Sequence, residues 1–488
     1  MKRVNIFGPL AIFLVVTMQA ACKKLVSISD PTTQITTDQT FANNEIANSA
    51  VNGIYETLAS TSQITNFMWY LAKYGGLSAD EILVLGGIGG LEYQMNSNHV
   101  AVTPNSPSSI PTDDLWTLGY NVIYTANSVI SGIAASTSAD FKDSVRKQFT
   151  AEAKCLRAFC YFYLTNFYGD IPLLLSTDYQ STVLSPRAKQ SDVYGQIIQD
   201  LKDAQTDLSV NYPTSDGTRT RINKWAATAL LARAYLYTKD YNNAAAQATA
   251  VINNSGLYGL ETDLNSVFLT GSHEAIWQLN QMTTSALRNM TPEGAFLPGG
   301  KTLNTGNVDY TISSQLLNAF DPGDMRRQQW IDSTTFGAVT LSTYSFSYKY
   351  KVGGYNTIAG GTPTEYSMVL RLAEQYLIRA EAEANGASGG TAAAIADLNV
   401  IRTRASLPNL PGSLSQTALL TAIEKEWQTE FFCECGLRWL NLKRTGRAHD
   451  VLSAIPLKQP WAGDYQLLYP IPISDIKADH NLTQNQGY

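Results

Sequence analysis

Charge is scarce in this chain of 488 residues: Asp, Glu, Lys and Arg make up 16%, and the formal net charge is −6. No basic stripe interleaved with aromatics exists, so nucleic acid has no electrostatic footprint to follow and is excluded as a partner. Histidine is scarcer still. His99, His273, His449 and His480 are scattered, and none stands at metal-ligand spacing from another His or a Cys; no metal and no cofactor is expected. Cysteine numbers five. Cys155 and Cys160, and Cys433 and Cys435, are expected inside helices, where spacings of five and two turn the side chains roughly 100° or more apart. That divergence excludes a bridge within either pair, and buried small apolar residues are the better account. A hydrophobic run long enough to span a bilayer is also missing. The longest, from about Ile6 to Met18, is too short.

That short run is informative for its flanks. Lys2 and Arg3 precede it and Gln19-Ala20-Ala21-Cys22 follows, the pattern of a cleaved export signal over residues 1–21. A cysteine directly after the cleavage site suggests a bacterial lipoprotein acylated on Cys22, and several acyl chains would anchor it without a spanning helix. Residues 22–39, polar and Thr-rich with Pro31, form the tether.

What the chain does have is tyrosine, 26 against 16 phenylalanines, and helical periodicity. The stretch Asn223–Asn253 forms two helices hinged at Thr238–Asp240. Tyr241, Ala244, Ala245, Ala248, Val251 and Ile252 share one face of the second. Small residues where the helices cross, with an aromatic after the turn, resemble a tetratricopeptide hairpin, which cannot bury its own apolar face. More helices follow the same logic at Thr40–Leu58, Thr112–Ala134, Phe141–Phe167, Ser191–Leu208, Thr364–Ala384, Thr391–Ala405 and Ser415–Phe432. The expected fold is mainly α: about four helical pairs in a single domain over residues 40–488. Two non-helical insertions interrupt it, a long loop at about 59–111 and a mixed strand and loop segment at about 255–363. In stacked helical pairs such insertions gather on one face, often the binding face.

No catalytic constellation stands out. The run Gly86-Gly87-Ile88-Gly89-Gly90 lacks the Lys-Ser/Thr of a phosphate loop. Asp80-Glu81 is one acidic pair, whereas a glycosidase needs two carboxylates facing across a cleft. Arg371–Glu374 and Arg379–Glu383 are, at three and four residues apart, most simply surface ion pairs.

An ordered set of motifs then becomes specific. Phe167-Tyr168-Gly169-Asp170-Ile171-Pro172-Leu173, Lys224–Tyr237, Arg371–Glu381, Leu398–Ala405, Glu430–Gly446 and the ending Tyr469–Ile473 with Asn481–Tyr488 resemble the SusD/RagB family of Bacteroidetes outer-membrane lipoproteins, in order from Cys22 to Tyr488. Trp427, Asn441 and Gln486 depart from the family pattern, which usually has Arg, Asp and Pro there. The resemblance implies a tetratricopeptide-like scaffold with a surface site for an oligosaccharide, or in some members a peptide. It also implies a non-enzymatic role at the outer membrane and a partner, a SusC-type TonB-dependent barrel. Weak, aromatic-lined binding suits such a handover. The expected ligand contacts are Trp69, Tyr70, Tyr74, Tyr93, Asn98 and Trp330, with Asp80 as a hydroxyl acceptor. For each, packing onto the scaffold is the competing reading; Trp277, alternating with Ile276 and Leu279, is expected in the core.

Overall fold

The computed structural model describes residues 36–59, 66–85, 90–102, 112–280, 289–296, 309–336, 342–353 and 361–488; the expected export signal, Cys22 and Gly86–Gly89 lie outside them. Eleven principal helices carry the fold. They are α1 (Asn44–Ala59), α2 (Phe67–Ser78), α3 (Asp113–Ala135), α4 (Asp143–Tyr168), α5 (Gln190–Asp207), α6 (Lys224–Tyr237), α7 (Tyr241–Ile252), α8 (Leu372–Ala384), α9 (Gly390–Arg404), α10 (Gln416–Phe431) and α11 (Leu437–Arg444). From α3 to α9 each helix packs on the next. The α6–α7 hairpin shows how its residues dictate this. Asn223 caps α6 by accepting from the Ala226 N–H at 3.0 Å, Lys239 turns the chain at φ +61°, and Asp240 caps α7. Ala226, Ala227, Ala229, Ala232 and Ala234, all buried, let neighbouring helices approach. Helix α8 packs directly on α7 although the chain between them leaves the stack.

That excursion and the stretch after α1 hold six short strands among the described residues, and two more lie between α4 and α5. β1 (Ile82–Val84) pairs antiparallel with β5 (Tyr310–Ile312), β4 (Ala275–Leu279) with β8 (Ser367–Arg371), and β6 (Ile331–Phe336) with β7 (Ser342–Ser347); the two-residue β2 (Ile171–Pro172) and β3 (Arg187–Ala188) also pair. Through β1 and β5, with Ser313 bonded to the backbone of Asp80 and Glu81, the two insertions become one unit. Trp277 on β4 is fully buried.

Three expectations need correction. The stretch 59–111 is not without helix: it contains α2 and the short helix Leu91–Asn96. Helix α8 begins at Leu372, because residues 367–371 pair as β8. Cys433 and Cys435 are buried as expected, yet they sit in the turn between α10 and α11 at φ +56° and +50° rather than in a helix.

Candidate ligand-binding site

Helix α2 is the element on which the candidate site is built. Its sequence FMWYLAKYGGLS has no polar face, and all twelve residues are buried. Asn66 fixes its start: the side-chain carbonyl accepts from the Trp69 N–H at 2.9 Å while the amide donates to the Ala59 carbonyl at 2.7 Å. Its far end runs against the turn before α11, where a Cβ on Gly75 would stand 2.3 Å from the Gly436 Cα; only glycine permits that approach.

Trp69, Tyr70 and Tyr74 come together around one cation. The Lys73 ammonium lies 5.5, 5.4 and 4.9 Å from their ring centroids, within cation–π range, and bonds Glu92 at 2.8 Å. The other oxygen of Glu92 accepts from the Tyr310 hydroxyl at 2.8 Å, and Tyr70 donates to Asp114 at 2.8 Å. Phe296 lies 4.8 Å from the Trp69 ring and Tyr310 meets it edge-on at 6.2 Å. Burial, and then the Glu92 carboxylate, raise the Tyr310 phenol above its usual range; burial and then Tyr70 raise Tyr74 likewise. Both stay neutral donors at physiological pH. The cluster reaches solvent through Glu92, whose side chain is 35% exposed, and the adjacent half-buried Tyr93.

Asp80, Asn98 and Trp330 are placed elsewhere, each engaged by a partner inside the fold. Asp80 is clamped by Arg438 through two 2.8 Å bonds and also accepts from Gln428, so it is an internal counter-ion rather than an open hydroxyl acceptor. Asn98, at φ +56°, accepts from Lys458 at 2.5 Å. Trp330 is fully enclosed, donates to the Leu264 carbonyl at 2.9 Å and stacks under Lys349 at 4.8 Å. Lys73, Glu92, Asp114, Phe296 and Tyr310 were not anticipated. One signal existed: a lone lysine in a run as apolar as α2 must find a counter-charge.

Trp69, Tyr70 and Tyr74 are 5%, 8% and 3% exposed, and Lys73, Tyr70 and Tyr310 bond carboxylates within the fold, so what the cluster presents to solvent is the half-open Glu92 carboxylate beside the half-buried Tyr93. Among the described residues no group of three or more His, Cys, Asp or Glu could hold a metal ion, and no helix there is long and apolar enough to cross a membrane. Fold and site together define a helical-hairpin scaffold whose two insertions meet in a buried aromatic cluster, with Glu92 and Tyr93 at its edge. Comparison with known proteins narrows the class. A family described as starch-binding associating with outer membrane matches residues 87–236, and the SusD family matches residues 327–488. The chain belongs to the SusD/RagB family. It is similar to SusD-like protein P2 of Formosa agariphila, 28% identical over 76% of this chain and 80% of that one. Starch-binding protein SusD of Bacteroides thetaiotaomicron is 25% identical over 78% and 80% of the two chains. Among solved structures, surface glycan-binding protein A from Bacteroides fluxus superposes with a TM-score of 0.76 at 23% identity, covering 92% of this chain and all of that one; at that identity the likeness speaks for the fold.

Proposed function

We propose that this protein is a non-catalytic binding lipoprotein of the outer membrane, which captures an oligosaccharide at the cell surface and passes it to a SusC-type TonB-dependent transporter. One observation carries the reading: Trp69, Tyr70 and Tyr74 gathered round Lys73, with Glu92 and Tyr93 at the edge. A sugar ring offers an apolar C–H face to an aromatic and hydroxyls to a carboxylate and to phenols. The starch-binding and surface glycan-binding relatives support that class of ligand. Contacts at so partly exposed an edge fit affinities of about millimolar to micromolar, roughly −4 to −8 kcal/mol, and weak binding is what handover requires. Asp80, Asn98 and Trp330 act as supports of this lobe.

A glycan and peptide array, followed by calorimetry of the hits, tests the proposal. Saccharides are expected to bind reversibly and to be recovered intact. Reducing ends released at catalytic rates would replace capture with hydrolysis. Binding confined to peptides would make the chain a peptide-capturing member of the same scaffold.

A further inference from the structure

Helices α6, α7, α8, α10 and α11 surround a cavity of about 470 Å³ that shares no lining residue with the aromatic cluster around Lys73, a size within the ~300–1,000 Å³ of small-molecule sites. Trp427 and Asn441 face it. The Trp427 indole donates to Glu381 at 3.0 Å. Asn441 is 7% exposed. Its side-chain carbonyl accepts from the Arg444 Nε at 2.7 Å and from the Tyr237 hydroxyl at 3.4 Å, while its Nδ2 has no acceptor among the described residues. Arg444 spends one N–H of each terminal nitrogen on Glu381, at 2.5 and 2.7 Å, and keeps a second N–H on each.

Acceptors in the lining are already committed. Glu381 receives Trp427 and both bonds from Arg444, and Glu424 receives Arg438 at 3.3 Å and Arg447 at 3.2 Å. Donors are in surplus. Lys239, exposed at the α6–α7 turn, lines the rim with no ion pair among the described residues. Of the four cationic side chains in the lining, Arg438 is held by Asp80 and Glu424, Arg447 by Glu424 and Asp450, and Arg444 by Glu381, which leaves Lys239 as the one without an ion pair among the described residues.

We propose that this cavity is a second binding site, for a small organic carboxylate. The carboxylate takes Asn441 Nδ2 and the spare Arg444 N–H groups, Lys239 adds charge at the mouth, and the ligand's body packs on Trp427, Tyr241 and Ile423. A neutral ligand satisfies these donors less well and leaves Lys239 without a counter-charge. The uronic-acid end of an acidic saccharide and the C-terminus of a short peptide present the same group.

Ligand-observed NMR and calorimetry on the full chain separate these sources. The probes are galacturonate against galactose, and N-acetylphenylalanine against its amide. At least one carboxylate is expected to bind tenfold or more tighter than its uncharged counterpart, and which one does identifies the source. Asn441→Asp, which fills the vacancy with a competing carboxylate beside Arg444, and Lys239→Glu at the exposed turn should each weaken that binding tenfold or more. Neither should alter saccharide binding at the α2 cluster. The proposal is overturned if neither carboxylate binds at millimolar concentration, if the charged and uncharged probes bind alike, or if binding survives both variants. Should Asn441→Asp melt early, the exposed Lys239→Glu variant decides alone.

Discussion

Tyr93 and Trp330 separate two kinds of aromatic that composition cannot tell apart. Tyr93 sits half-buried beside Glu92 at the edge of the aromatic cluster, whereas Trp330 is sealed in the core with its indole N–H used. Tyr93→Ala should therefore lose about 1–3 kcal/mol of saccharide binding, as for other aromatic anchors, with the melting temperature almost unmoved. Trp330→Ala should cost about 3–5 kcal/mol of stability. Calorimetry and thermal melts on both variants check the pair, and early melting of Tyr93→Ala would move it into the packing class. Glu81 supplies a pH test. It is fully buried, one oxygen has no partner, and burial followed by the Asp80 charge next door raises its carboxyl from 4.5 to about 8. Between those values the folded state holds a proton that the unfolded state has released, so this group lowers stability as pH rises through that window. Glu81→Gln removes the effect: its melting temperature should exceed wild type at pH 8.5, and the gap should close toward pH 5. Parallel melting profiles would show Glu81 ionising freely. Partners of this kind were not legible. Arg371, three residues from Glu374, bonds Glu274, Glu430 and Glu434 at 2.6–2.9 Å, and Glu374 bonds Arg233. Spacing along a helix reveals only local pairs, and these ones are set by tertiary packing.

Among the elements, legibility followed amphipathicity. The helices α3, α5, α7, α9 and α10 each keep an exposed side, and their period showed their place to within a few residues. Helix α2 has no polar side, so a buried helix and an aromatic loop looked alike. The turn Phe432–Gly436 was hidden for another reason. Two buried cysteines in the left-handed region carry no turn signature of the Gly, Asn or Pro kind, and their conformation is held instead by cations. Lys349 donates to the carbonyls of Glu430 and Phe432 at 2.8 and 2.9 Å, and Arg371 to that of Glu430 at 2.8 Å. The same logic binds the insertion to the helical stack. Arg326, 1% exposed on the short helix Met325–Gln329, pairs with Asp324, Glu426 and Glu430. Burial alone would push the Glu430 carboxyl up, but Arg404, Arg371 and Arg326 together hold it well below its usual range. Arg326→Met leaves buried carboxylates without this partner and should cost about 3–5 kcal/mol, with faster hydrogen exchange in residues 324–353 than in α6 and α7. Uniform loss of protection across both regions would mean that the insertion and the stack do not open separately.

At the scale of the whole molecule, distant motifs turn out to be neighbours. The ending of the chain is stitched onto the close of α4: Asn485 donates to the carbonyls of Tyr168 and Tyr469 at 2.8 and 2.7 Å, Arg187 donates to Thr483 and Asn485, and Tyr469 donates to Phe167 at 2.8 Å. Their order in sequence was visible, but their contact was not, since neither motif carries a charge or period that names the other. Helix α7 and helix α8 likewise close on one another across the insertion, so the stack forms a continuous support for the lobe holding the cluster. On the proposed role such a support must be held at the transporter, and the sequence leads us to expect one means of holding it, acylation of Cys22. From Cys22 to Thr36 the chain is 14 residues long, which sets an upper limit of roughly 50 Å on the distance between that anchor and the described part. Mass spectrometry of the N-terminal peptide from outer-membrane fractions should find lipid on Cys22. Cys22→Ser should release the protein from the membrane while saccharide binding in vitro is unchanged, because the cluster lies far along the chain from the anchor. The wild-type protein, extracted in mild detergent, should bring a TonB-dependent barrel with it. An unmodified Cys22 would remove the anchor. Lipidated protein recovered alone, with the barrel expressed in the same cells, would leave a surface glycan-binding lipoprotein that works without a transporter.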